Sequence, residues 1–174
     1  MVNIYQMRST EKSAKTADET LQEMRTENRP WVGINTIELI SMNPGEQIQV
    51  NAVFINSGKS PALKQSILAH LHVTNDADAD LPEIGKPDEP ITTVAIAVPM
   101  QPMNIGLRTV DKLDAAQIER VKKPEFRYYV YGVGSYDEST TQRTTHHIEF
   151  CMFARFGING LTPCTGKRYK NTTD

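Results

Sequence analysis

One stretch restricts the fold of this 174-residue chain more than any other: Gly45 to Ala62, GEQIQVNAVFINSGKSPA. Ile48, Val50, Ala52 and Phe54 fall on one side of a period-two strand, and Gln49, Asn51, Val53 and Ile55 on the other, so the first set is the expected core face. Asn56-Ser57-Gly58 supplies residues that tolerate positive φ, and Pro61 cannot donate to a ladder. The chain is therefore expected to reverse there and re-enter the sheet at Ala62, which makes this stretch the central hairpin of a β-sandwich.

The flanking sequence extends that pattern. Strands are expected from Trp31 to Ile37, after Pro61 with Ile67, Ala69, Leu71 and Val73 inward, over Thr92–Val98, over Asn104–Val110, over Phe126–Tyr136 and over Thr144–Phe156. Asp114 with Gln117 three residues on has the form of a capping box, so Ala115–Lys123 reads as a short helix stopped by Pro124. The acidic, proline-rich Asn75–Pro90 is a surface loop. Residues 157–174, with Gly157, Gly160, Pro163 and Gly166, read as irregular.

Before the first strand the texture is different. Residues 3–28 contain no Gly or Pro and are rich in Glu, Lys, Gln, Ala and Thr, which predicts one long helix that ends at Arg29-Pro30. Its apolar stripe, Ile4, Met7, Ala14, Ala17, Leu21 and Met24, is too narrow to anchor it in a core. Fully formed, it would reach about 39 Å and serve as a stalk or tether, a loose edge cover, or a weak self-association helix. The expected architecture is a mainly β, antiparallel, immunoglobulin-like sandwich of about seven strands over 30–165. It is preceded by the polar helix 1–29, contains one short crossover helix and is followed by a flexible tail, 166–174.

Composition narrows the function classes. A net charge of −2, with no Lys/Arg run interleaved with aromatics, gives no electrostatic footprint for nucleic acid. No window approaches the roughly 18 apolar residues of a membrane span. Two cysteines are too few for a disulfide scaffold; Cys151 and Cys164 are either one bridge or two unrelated thiols.

No stretch carries a catalytic signature of comparable strength, and the chain is read as a non-enzyme with no cofactor. His70 and His72 share a strand face and His146 opens another strand, so three imidazoles are candidate metal ligands, with exposed polar positions as the plainer account. Asp76, Asp78 and Asp80 imitate the start of a calcium loop, but Leu81 and Pro87 stand where an EF-hand needs Gly and Glu. Alternation places Tyr129 and Tyr131 together, partly exposed on an outer face, as a candidate binding patch for protein or sugar.

The order of several motifs supports a family reading: Arg29-Pro30-Trp31-Val32, Pro44-Gly45-Glu46, Asn56-Ser57-Gly58-Lys59-Ser60-Pro61-Ala62, Tyr129-Val130-Tyr131-Gly132, Tyr136-Asp137 and Phe150-Cys151. From Glu11 to Cys164 the chain resembles a group of uncharacterised bacterial proteins in which one or two N-terminal transmembrane helices lead through a polar helix to a β-sandwich. It departs from them in beginning Met1-Val2-Asn3 without those helices, and in carrying ESTTQRTT between Asp137 and His146 where the group tends to have a Phe-Gly turn. The resemblance implies no catalytic residues. It implies a bacterial envelope setting on the periplasmic side, membrane association only through a segment absent here, and conditions that permit a Cys151–Cys164 bridge. The expected function is non-catalytic binding or scaffolding of an unknown protein partner, the alternative being a carbohydrate- or metal-binding accessory module.

Overall fold

The computed structural model describes residues 27–75, 81, 93–138, 144–164 and 172–173, together with residues 15, 16, 19, 20, 21 and 24. It is mainly β, and its sheets are antiparallel. β1 (Val32–Ser41), β2 (Gln49–Asn56) and β5 (Pro102–Arg108) form one sheet in the order β1-β2-β5. β4 (Thr93–Ala97), β3 (Ala62–Thr74), β6 (Arg127–Glu138), β7 (Thr145–Arg155) and β8 (Ile158–Pro163) form the other in that order, with β9 (Thr172–Thr173) added to β7.

One core lies between the sheets. Ile48, Val50, Ala52 and Phe54 from the β2 region are at most 2 % exposed, and they meet Ile67, Ala69 and Leu71 of β3, Tyr128 and Val130 of β6, and Ile148 and Phe150 of β7. The Phe54 and Phe150 rings pack edge to face with centroids 5.2 Å apart, a geometry that sets the positive edge of one ring against the face of the other. Gly132 makes room for this contact: a Cβ there would lie 2.5 Å from Phe150 Cζ and against the Leu68 carbonyl.

The alternation expected along β2 and β3 is the observed one. Along β1 it holds only to Ile34, because a register shift between Ile34 and Thr36 inserts an extra residue. Ile34 and Ile37, three apart and hence on opposite faces of a regular strand, therefore both pack against the core.

The expected hairpin at Asn56–Pro61 is not one, since β2 and β3 belong to different sheets and the turn is a crossover between them. The Asn56 side chain explains why. It is fully buried; its Oδ1 accepts from the Trp31 and Gly58 N–H groups, each at 3.0 Å, and its Nδ2 donates to the Ser60 carbonyl at 2.8 Å and the Ala97 carbonyl at 3.0 Å. One amide thus joins the entry to β1, the turn itself and the end of β4. Gly58 does not take positive φ; among the described residues the left-handed non-glycine ones are Lys64, with φ 48°, and Met100, with φ 60°, whose N–H donates to the Asn56 carbonyl at 2.9 Å.

α1 (Ala115–Val121) connects β5 to β6 and carries the expected capping box. Asp114 accepts from the Gln117 N–H, and the Gln117 side chain accepts from the Asp114 N–H, both at 2.8 Å. Ile118 and Val121 turn into the core.

The residues expected to be irregular after Gly157 include β8 and β9, which pair with β7. Gly157 and Gly160 occupy positive φ there (69° and 123°), so the glycines that suggested a loop serve the turn and an irregular strand. Of the long helix expected over 3–28, the described residues, which include Leu21 and Met24, are helical and exposed, and the remainder lies outside the described residues. The same is true of the Asp76, Asp78 and Asp80 segment and of the tail apart from β9.

Candidate functional site

Five of the residues singled out in the sequence lie on one face, together with Phe153. Strand register places His70, Tyr131 and Cys151 in one row and His72, Tyr129 and Phe153 in the next, all on the face of the larger sheet that points away from the shared core. Cys164, just past β8, is joined to Cys151 by a disulfide with the two Cα atoms 5.4 Å apart. The His70 and Tyr131 rings are 5.7 Å apart and those of Tyr129 and Phe153 5.4 Å. The Arg127 guanidinium sits 4.8 Å from the Phe153 ring and donates to the Tyr129 hydroxyl at 3.1 Å.

This face is not the partly exposed patch that alternation suggests. Tyr129 and Tyr131 are each only 3 % exposed, because Leu81 from the acidic insertion, itself 2 % exposed, packs with them against Cys151 and Phe153. The larger sheet therefore has a second apolar cluster on its far side. Leu81 gave little warning of this, since it stands alone among acidic and proline residues.

The histidines do not converge. His146 pairs across from Tyr136, on the core side of the sheet, with its Nε2 3.3 Å from the Glu138 carboxylate and its ring 5.2 Å from that of Tyr136. His70 and His72 point the other way, because pairing with Tyr131 and Tyr129 sets them on the outer face. Among the described residues no group of three or more His, Cys, Asp or Glu is placed to hold a metal ion.

A concave site forms instead at the far end of β3, in a hollow of about 390 Å³. Leu71 and Val73 of β3, Leu113, Val121 of α1 and Phe126 supply apolar walls, while His72, Thr109, Gln117 and Arg120 bring polar groups to it. The reason is local. The capping box starts α1 at a fixed point, and the helical repeat then carries Gln117, Arg120 and Val121 to one side. Thr109 accepts from the Ile48 N–H at 3.1 Å and donates to the Asp111 carbonyl at 2.9 Å, which holds the loop opposite. At the rim Val110 is 88 % exposed.

Sequence reasoning found only His72 of this set. The available signal was Val110, one apolar residue in the polar run Thr109-Val110-Asp111-Lys112. Beneath the end of α1, the Tyr128 hydroxyl donates to the Val121 carbonyl at 3.1 Å, and burial pushes its pKa up to about 12, so it remains a donor throughout the neutral range.

Burial lowers the pKa of His72 below its ordinary value near 6.5. The unfolded chain then binds the proton more readily than the folded one, so this residue's contribution is complete above the unfolded pKa and lost as pH falls through the folded one. Melting temperature is expected to drop on acidification from pH 7 to 5. His72→Gln should flatten part of that drop, and an unchanged profile in the variant would remove His72 as its source.

A second hollow, of about 460 Å³, opens between β1 and the β7–β8 turn, with Leu39, Phe156 and Ile158 at its margin. Its walls include Asn35, Thr36, Arg155, Gly157 and Gly160 beside Ile37, Val50 and Leu161, a lining richer in glycine and poorer in charged and polar side chains than that beside α1. Comparison with protein-family models, curated proteins and solved structures finds no match to this chain. No helix among the described residues is long and apolar enough to cross a membrane.

Proposed function

We propose that this chain is a non-catalytic binding or scaffolding domain of a bacterial envelope-associated protein, an immunoglobulin-like sandwich that acts by protein–protein interaction through the hollow beside α1. The observation that carries this reading is a hollow whose apolar wall, Leu71, Val73, Leu113, Val121 and Phe126, runs out to the solvent-exposed Val110, with His72, Thr109, Asp111, Gln117 and Arg120 supplying polar groups beside it. Apolar concavities with a few fixed polar groups are the usual form of binding sites. An exposed apolar side chain at the rim offers a contact that a partner chain would bury.

Among the described residues, β4 pairs with β3 from Ala62 to Ile67. Leu71, His72 and Val73 line the hollow, which offers side-chain pockets to an extended segment of a partner. The envelope setting rests on the resemblance of the motif order to membrane-anchored sandwich proteins. The polar N-terminal helix would be the stalk in that arrangement, and Leu21 and Met24, its described apolar residues, are each 55 % exposed and available for self-association.

The test is selection from a random peptide library displayed on phage, followed by NMR mapping of the selected peptides. Peptides with alternating apolar residues are expected to shift the signals of Leu71–Val73 and Val110. Val110→Asp should weaken them at least tenfold, a change of about 1.4 kcal/mol. Peptides that bind elsewhere, or a glycan array that binds while the peptides do not, would replace this reading with the accessory-module one.

A further inference from the structure

From the unequal burial of its two cysteines, we infer that the disulfide of this domain is installed through Cys164, by a dithiol oxidase in its disulfide form, and that Cys151 acts as the resolving thiol. The inference is independent of the hollow beside α1. Cys151 lies in the middle of β7 with no exposed surface, enclosed by Tyr129, Tyr131, Phe153 and Leu81. Cys164 follows the end of β8 and is only half-buried. A thiolate must reach the disulfide it attacks in line, so access decides which sulfur reacts first.

The β7–β8 hairpin prepares the second step. Met152 pairs with Pro163 and Phe153 with Thr162, and the Cys164 N–H donates to the Cys151 carbonyl at 3.0 Å. Register thus brings the two sulfurs together as soon as the hairpin forms, which makes closure intramolecular and fast relative to any second encounter.

The Cys164 thiolate attacks one sulfur of the oxidant's disulfide; that bond breaks, and the oxidant's other sulfur leaves as a thiolate. The Cys151 thiolate then attacks Cys164 Sγ in the mixed disulfide, forming the Cys151–Cys164 bond and expelling the oxidant's first sulfur. Two electrons pass from the two protein thiols to the oxidant, whose two sulfurs take up the two protons given up by Cys151 and Cys164, so that it ends as a dithiol. In reverse, a reductant must enter at Cys164 and expel a Cys151 thiolate into an apolar cluster, where the charged form is disfavoured. The finished bridge should accordingly resist reduction in the folded state.

The probe is dithionitrobenzoate, an aromatic disulfide whose released thiol is coloured. It is applied to the full chain carrying Cys151→Ser or Cys164→Ser, with circular dichroism to establish folding. Cys164 in the first variant should react at least a hundredfold faster than Cys151 in the second, and the difference should vanish in denaturant. Equal native rates, or a faster Cys151, would overturn the inference.

Where either variant does not fold, the reduced wild-type chain is treated with limiting probe, quenched with acid and digested. The first adduct is expected on the Cys164 peptide, and an adduct on the Cys151 peptide would count against the proposed order. The oxidised wild type should also keep its bridge under millimolar glutathione while folded and lose it when unfolded. Equally fast reduction in both states would remove the protective role of the cluster.

Discussion

Asn56→Ala should lower the stability of the domain by about 4 kcal/mol, read as a fall in the urea midpoint with little change in slope. The side chain is fully buried and makes four hydrogen bonds, those to Gly58 and Ala97 buried and those to Trp31 and Ser60 part-buried. Alanine leaves two N–H groups and two carbonyls without that partner, and each such loss costs about 1–3 kcal/mol when the group stays dry. Partial relaxation and entry of water account for a total below the simple sum.

Asn51→Ala is the matched control. Asn51 also bonds through its side-chain amide, to Glu38 at 3.1 Å and Asn104 at 3.0 Å, but on an exposed sheet face where water replaces the partner. Its loss should cost less than about 1 kcal/mol. Equal effects at the two positions would show that the crossover does not depend on the buried amide.

Gly58→Val is the second large effect, expected at about 3 kcal/mol or more. The cause is crowding rather than φ. A Cβ at this position would meet the Arg29 carbonyl oxygen and come within 2.7 Å of both Pro30 Cα and Trp31 N. All three are backbone atoms held in place by further bonds: the Tyr136 hydroxyl donates to the Pro30 carbonyl at 2.9 Å, and the Ser57 N–H to the Trp31 carbonyl at 2.8 Å. The clash cannot be relieved by rotating a side chain. Gly33→Val, where an added Cβ meets nothing within 4 Å, should be nearly neutral or slightly stabilising in a strand. A Gly58→Val midpoint close to that of Gly33→Val would mean that the entry segment yields.

These two positions mark the boundary of what the residues disclose by themselves. Period-two alternation located β2 and β3 and their core faces, because which side of a strand is apolar is a local property. The capping box located the start of α1 for the same reason. The assignment of β2 and β3 to separate sheets is not local: it depends on an asparagine reaching Ala97, forty-one positions along the chain. An Asn-Ser-Gly sequence serves a hairpin turn and this crossover equally well.

The candidate site was legible in a similar, partial way. Grouping His70 with His72 and Tyr129 with Tyr131 was right about shared faces, since that too follows from alternation. The burial of the two tyrosines depends on Leu81 and on the Cys151–Cys164 bridge, both brought in from elsewhere in the chain. His146 was drawn into the same group by residue type alone, and register sends it through to the other side of the sheet. The hollow beside α1 is built from four separate segments, so no single window of sequence could outline it.

The two apolar clusters flanking β6 and β7 bear on how this chain can vary over evolutionary time. A strand with one wet face offers every second position to neutral drift. With Tyr128 and Val130 in one cluster and Tyr129 and Tyr131 in the other, the middle of β6 offers none, and Phe150, Cys151 and Phe153 restrict β7 in the same way. Lineages of this domain should accumulate their differences on the outer face of the β1-β2-β5 sheet, while the centre of the larger sheet changes slowly and in compensated pairs.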